Sequence, residues 1–120
     1  MIKMIFCLRR KPGLTREEFQ RYWLEEHAPK VRAAVEKIGM VRYVQSHSHD
    51  SAMGAAAARA RGTADEYDGV MEGWWESEEQ ARAAFVANGP DAALMLLDDE
   101  RRFIDLERST IFMTREHVIF

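Results

Sequence analysis

This 120-residue chain has a single cysteine, three prolines and no long apolar run, and each scarcity excludes something. Cys7 alone cannot close an intramolecular disulfide or build a multi-cysteine metal site, and such usage fits a reducing, cytoplasmic setting. No stretch approaches the roughly 20 apolar residues that a membrane helix needs, so no membrane span is expected. The N-terminal MIKMIFCLRRKPG has only a short apolar run bracketed by charge and no small-residue cleavage site, so it reads as a strand rather than an export signal. Nor does one charge dominate: 17 Lys and Arg stand against 20 Asp and Glu, interleaved, for a net charge of −3. Nucleic-acid binding needs a basic face to displace phosphate counterions, so the expected partners are instead a small molecule, another protein or a second copy. A Gly-rich phosphate loop, a flavin or nicotinamide fingerprint and a nucleophile elbow are also missing, and no cofactor is expected.

What is present has the composition of one soluble globular domain spanning residues 1–120, with 47% hydrophobic and 31% charged residues. Ile2–Arg10 alternates as a strand whose centre is apolar on both faces, and Lys11-Pro12-Gly13 ends it in a turn. Thr15 with Glu18 three residues on forms a capping box, and Glu17 and Glu18 suit the positive end of the helix dipole. Phe19, Trp23, His27 and Val31 follow at steps of four, a stripe that faces a core. Pro29 predicts a break or kink near His27–Pro29 before the helix resumes, and Gly39 stops it. Met40–His49 is a second strand, with Val41, Tyr43, Gln45, His47 and His49 on one face. Asp50–Asp68 holds an Ala-rich stretch, read as a loosely held helix that is either a lid or a tolerated insertion. Gly69–Glu76 is a third strand. Ser77 and Gln80 suggest a second capping box, and helical stretches run to Asn88 and over Asp91–Ile104. Leu106–Arg115 is the last strand.

This order, βαββαβ, predicts an α+β ferredoxin-like fold: a four-stranded antiparallel sheet with its helices on one face. The strands are apolar on both faces, and two helices cover only one. A second copy packed sheet to sheet covers the other, giving a homodimer of the dimeric α/β barrel kind.

Four segments, FCLRRKPGLTREEFQRYWLEEHAP, RYVQSH, YDGVMEGWWES and the terminal FMTREH, together resemble the EthD-domain proteins of the dimeric α/β-barrel superfamily. The likeness runs over nearly the whole chain in order. Ser46 stands where the family pattern carries asparagine. The resemblance implies the same dimeric fold. It also implies a loose grouping with oxidoreductases and a link to ethyl tert-butyl ether degradation beside a haem-thiolate monooxygenase. Related barrels include polyketide cyclases, cofactor-free monooxygenases, haem-degrading enzymes and lactone isomerases, and some fungal members are decarboxylases or dehydratases.

His27 leads the candidates for chemistry. An imidazole that titrates near neutrality moves protons without a cofactor, as a cyclase, isomerase or decarboxylase requires. The competing reading is a buried histidine bonded to carbonyls freed at Pro29. Tyr43, Gln45 and His47 line a pocket if their face meets the helices, and an interface if it meets a partner. Trp74 is a candidate stacking surface for an aromatic ligand, and Tyr22 and Trp23 are core residues with an edge toward the pocket. His47 and His49 with Asp50 are too few ligands to specify a metal. Asp98 and Asp99 read as capping groups or as partners of Arg101 or Arg102. The expectation is a small enzyme, oxidoreductase-like or cyclase- and decarboxylase-like, acting on a hydrophobic or aromatic molecule with His27 as general acid or base. The alternative is a non-catalytic accessory that binds a small molecule and supports a monooxygenase pathway.

Overall fold

The computed structural model describes residues 1–120. Its elements are β1 (Ile2–Leu8), α1 (Arg16–Tyr22), a π-helical turn (Trp23–His27), α2 (Ala28–Ile38), β2 (Arg42–His47), α3 (Ala52–Arg61), β3 (Gly69–Trp75), α4 (Glu78–Asn88), α5 (Asp91–Glu100), a short 3₁₀ turn (Leu106–Arg108) and β4 (Thr110–Thr114). The strands form one antiparallel sheet in the order β2-β3-β1-β4. This is the α+β, ferredoxin-like arrangement expected from the sequence.

Register decides which residues meet the helices. Phe6 pairs with Met71 and Ile111, and Leu8 with Gly69, so Tyr43, Gln45 and His47, opposite Gly73, Met71 and Gly69, share that covered face. The core lies between it and the first helix: Phe6, Leu8, Phe19, Trp23, Phe103 and Ile104. Each such side chain removed from water contributes about 2 kcal/mol. Trp23 reaches the sheet only because position 69 is glycine, where a Cβ would collide with the indole and sit 2.9 Å from the Ser46 carbonyl.

The capping box at Thr15 forms in full: Glu18 N donates to Thr15 Oγ1 (3.1 Å) and Thr15 N to Glu18 Oε1 (2.9 Å). The second box is half made. Ser77 Oγ caps Gln80 N, but the Gln80 side chain donates instead to the Gly39 carbonyl. The helix does not break at Pro29. It widens by one residue into a π turn, in which Ala28 N donates to the Trp23 carbonyl, and α2 continues to Gly39 at φ +72°. The last strand is shorter than the sequence suggests, because Leu106–Arg108 coils into the 3₁₀ turn before Thr110. The Ala-rich stretch is a helix, capped by Ser51 and ended by Gly62, with no buried residue.

The opposite face of the sheet carries no helix. Ile5, Cys7, Val44 and Val70 form its partly exposed centre, with Phe112 46% exposed beside them. Only 15 of the 120 residues are buried in the isolated chain, a small core for this length.

Candidate functional site

The covered side of the sheet holds a polar cluster and an apolar cavity that meet at the end of α5. The first is built on the π turn. Widening the helix there sets His27 on the stripe with Phe19 and Trp23, 5% exposed, with its ring 5.1 Å from that of Phe103. Its Nδ1 lies 2.7 Å from Asp99 Oδ2. Asp99 Oδ1 accepts from Tyr22 Oη and from Lys30 Nζ, both at 2.6 Å. Burial opposes the charge on Asp99, but the bonds from Lys30, Tyr22 and His27 outweigh it and hold the carboxyl at about 2. An ionised carboxylate only accepts, so Nδ1 of His27 carries the proton and Nε2 is left as an acceptor. No protein group bonds Nε2. Burial pushes the imidazole below its ordinary pKa, against the pull of Asp99, so the ring is neutral at pH 7. It is therefore an oriented base with one free lone pair.

The second centre is a cavity of about 420 Å³ between the sheet and α2, α4 and α5. Met4, Met71, Trp75, Phe85, Leu97 and Ile111 are among the residues on its wall. Glu100, one residue past Asp99, lines it as well. The Glu100 carboxyl makes no hydrogen bond or ion pair. Burial, helped by the neighbouring charge of Asp99, lifts its pKa to about 7. The Tyr43 hydroxyl is raised as well, mainly by burial and in small part by the negative charge of Glu100.

The residues singled out from sequence fall into three groups. His27 and Tyr22 meet at Asp99. Tyr43, Gln45 and His47 face the helices but are taken up by one another and by Trp23. Gln45 Nε2 donates to the Trp23 carbonyl (2.9 Å) and to Tyr43 Oη (3.0 Å), and His47 Nε2 donates to Gln45 Oε1 (2.8 Å). The His47 ring stacks on Trp23 at 4.6 Å. This cluster braces β2 against the π turn rather than lining the cavity. Trp74 lies on the bare face, where its Nε1 donates to Glu116 Oε1 (2.6 Å) and Arg42 and Lys3 sit over its ring. Strand alternation puts Trp75 on the cavity wall instead, its Nε1 donating to the Ile38 carbonyl. Nowhere do three His, Cys, Asp or Glu residues converge as metal ligands.

Both expected arginine pairs form, Asp98 with Arg101 at 3.1 Å and Asp99 with Arg102 at a longer 3.9 Å, but Asp99 also turns inward, 3% exposed, to the bonds described above. Glu100 was not among the candidates read from the sequence. A signal was there. Ala93, Leu96, Leu97 and Glu100 stand at i, i+3, i+4 and i+7, an apolar helical stripe ending in an acid.

The EthD domain model matches residues 11–107. This chain belongs to the EthD family. Among solved structures, an ethyl tert-butyl ether d (EthD) family protein from Bacillus halodurans superposes with a TM-score of 0.66 at 18% identity, covering 98% of this chain and 99% of that one. A dimeric protein of ferredoxin-like fold from Bacteroides fragilis gives 0.62 at 9% identity over 96% and 95%. At these identities the likeness speaks for the fold alone. A dehydratase of Ustilaginoidea virens, ustZ, is 37% identical over 41 residues, which is 34% of this chain and 29% of that protein. No helix is long and apolar enough to cross a membrane.

Proposed function

We propose that this EthD-family protein is a small enzyme that moves protons on a hydrophobic, aromatic-type molecule, with His27 as its general base and acid. The observation that carries this reading is the His27–Asp99 pair. Asp99 fixes the tautomer and orientation of a neutral imidazole and leaves Nε2 without a protein partner. The adjoining apolar cavity supplies a place for such a molecule, and at about 420 Å³ it lies within the range of small-molecule sites. Removal of water, as the name of the dehydratase relative suggests, is one reaction this chemistry performs, and cyclisation and decarboxylation need the same proton transfers.

The test uses 2-tetralone, a hydrophobic ketone with exchangeable α-hydrogens. In D₂O the protein accelerates α-deuteration, followed by NMR, and His27→Gln loses about a hundredfold of that rate while remaining folded. Deuteration by the wild type no faster than in buffer, with the ketone bound, rejects the base.

A second reading is favoured by one specific observation: His27 is not on the cavity wall. The protein is then a binder that carries a hydrophobic molecule for a monooxygenase-type pathway, and the same assay shows binding without exchange.

We propose further that two copies pair through the bare sheet face. Its apolar centre and the small core of the isolated chain support this, as does the dimeric state of the Bacteroides relative. Sedimentation at micromolar concentration gives a dimer, and a monomer there refutes the pairing.

A further inference from the structure

We propose that Glu100 is the hydrogen-bond donor of the cavity and that it selects a neutral, hydrophobic ligand by holding a carbonyl oxygen. The inference rests on the cavity being the ligand site, and goes beyond it by naming the group that reads the ligand and the ligand's chemistry.

Around the wall, β1 contributes Met4, β3 Met71 and Trp75, β4 Ile111, and α4 Ala81 and Phe85, none of which is charged. From α2 comes Lys37, an exposed residue at the rim in the last turn of that helix. β2 puts no residue on the wall; its Tyr43, whose hydroxyl accepts from Gln45, is the titratable group on that strand whose ionisation the charge of Glu100 disfavours. On α5 itself the charge of Asp99 disfavours ionisation of Glu100, and that of Arg101 favours it to a smaller degree. The remaining polar side chain on the wall is thus Glu100, and nothing in the protein bonds it.

A carboxyl in that setting has two ways to reduce its cost: to stay protonated, or to meet a cation. The one cation on the wall, Lys37, is exposed to solvent and forms no ion pair with Glu100. A protonated carboxyl has one O–H to give, and its natural complement is an acceptor on an otherwise apolar molecule. A carboxylate or sulfonate ligand would meet an acid that has no cation paired to it. A ligand without any acceptor would leave the O–H unpaired at a cost of about 1–3 kcal/mol. The cavity therefore discriminates by one polar atom placed in an apolar body, the pattern of small-molecule sites in general.

The experiment compares 2-acetylnaphthalene with naphthalene as probes, by quenching of the tryptophan fluorescence to which Trp75 on the wall contributes. Wild type, Glu100→Gln and Glu100→Leu are titrated between pH 5.5 and 8.5, with circular dichroism as a check on folding. Wild type prefers the ketone about fivefold or more at pH 6, and the preference declines as pH rises through 7, because the donor is lost on ionisation. Glu100→Gln keeps an amide donor that does not titrate, so its preference is flat with pH. Glu100→Leu binds naphthalene but shows no preference at any pH. An equal preference in wild type and Glu100→Leu overturns the inference while leaving the cavity as a ligand site. So does tighter binding of 2-naphthylmethylamine than of the ketone at pH 5.5, which would make Glu100 an anion that reads cations even where the account has it protonated. Failure of both naphthalene probes to bind wild type overturns the cavity reading and this inference together.

Discussion

Asp99 and Glu100 leave the last turn of α5 one residue apart and about 100° apart around the helix axis, and they enter opposite environments. Asp99 meets Tyr22, His27 and Lys30, each within 2.7 Å, and its carboxyl is held at about 2. Glu100 shares its cavity wall with methionine, leucine and tryptophan side chains and rises to about 7. Burial pushes both upward, so depth does not distinguish them. What differs is the supply of donors, three against none. The first acid becomes a fixed anion that orients a histidine. The second becomes a group that titrates in the working range of a cell, the property expected of a residue that handles a ligand.

Removing the donors' common acceptor breaks that contrast most severely. Asp99→Ala strands three groups at once, and the loss is expected to be about 3–5 kcal/mol in urea unfolding at pH 7. A loss below about 1 kcal/mol would mean that the cluster does not act as a unit. Next comes Glu100→Leu, whose effect is opposite in sign. The folded-state pKa is raised from 4.5 to about 7, so the wild type has its full stability below about 4.5 and loses on the order of 3 kcal/mol as pH climbs past 7. The leucine variant lacks that decline and is the more stable protein at pH 8, and unfolding curves at pH 5 and pH 8 compare the two. His27→Gln is smaller, about 1–2 kcal/mol at pH 7. Because the folded pKa of His27 is lowered, wild-type stability falls as pH drops below about 6.5, where the unfolded chain alone takes up the proton. The glutamine variant loses that part of the acid-side slope. Smallest is Tyr22→Phe, which removes one of the bonds to Asp99 for about 1 kcal/mol and moves the Asp99 titration upward. An unmoved Asp99 titration would show that the tyrosine bond does not help to hold it.

Much of the fold was legible because it rests on local rules. The Thr15–Glu18 box, the stripe through Phe19, Trp23, His27 and Val31, the left-handed Gly39 and the strand alternation are each set within a few residues. The site was less so, for two physical reasons. The partner of His27 lies 72 positions away, and three consecutive acids give no hint of which one turns inward until the helix phase is counted from Ala93 or Phe103. Pro29 pointed to a break or kink near His27–Pro29, and the helix is indeed irregular there, but one extra residue in a π turn keeps it continuous. The Trp23 carbonyl, which Ala28 N bonds in that turn, also accepts from Gln45, and this ties Tyr43, Gln45 and His47 to each other rather than to a ligand. On β3 the alternation separates Trp74 from Trp75, but which of the two meets the helices follows only from the register with β1.

The most direct test is a carbon-detected NMR titration that follows the side-chain carboxyls of Asp99 and Glu100 in one sample. The account predicts that Glu100 titrates with a midpoint near 7 while Asp99 shows no midpoint above pH 3. A shared midpoint near 4 would contradict it, since the two acids would then differ neither in donors nor in role.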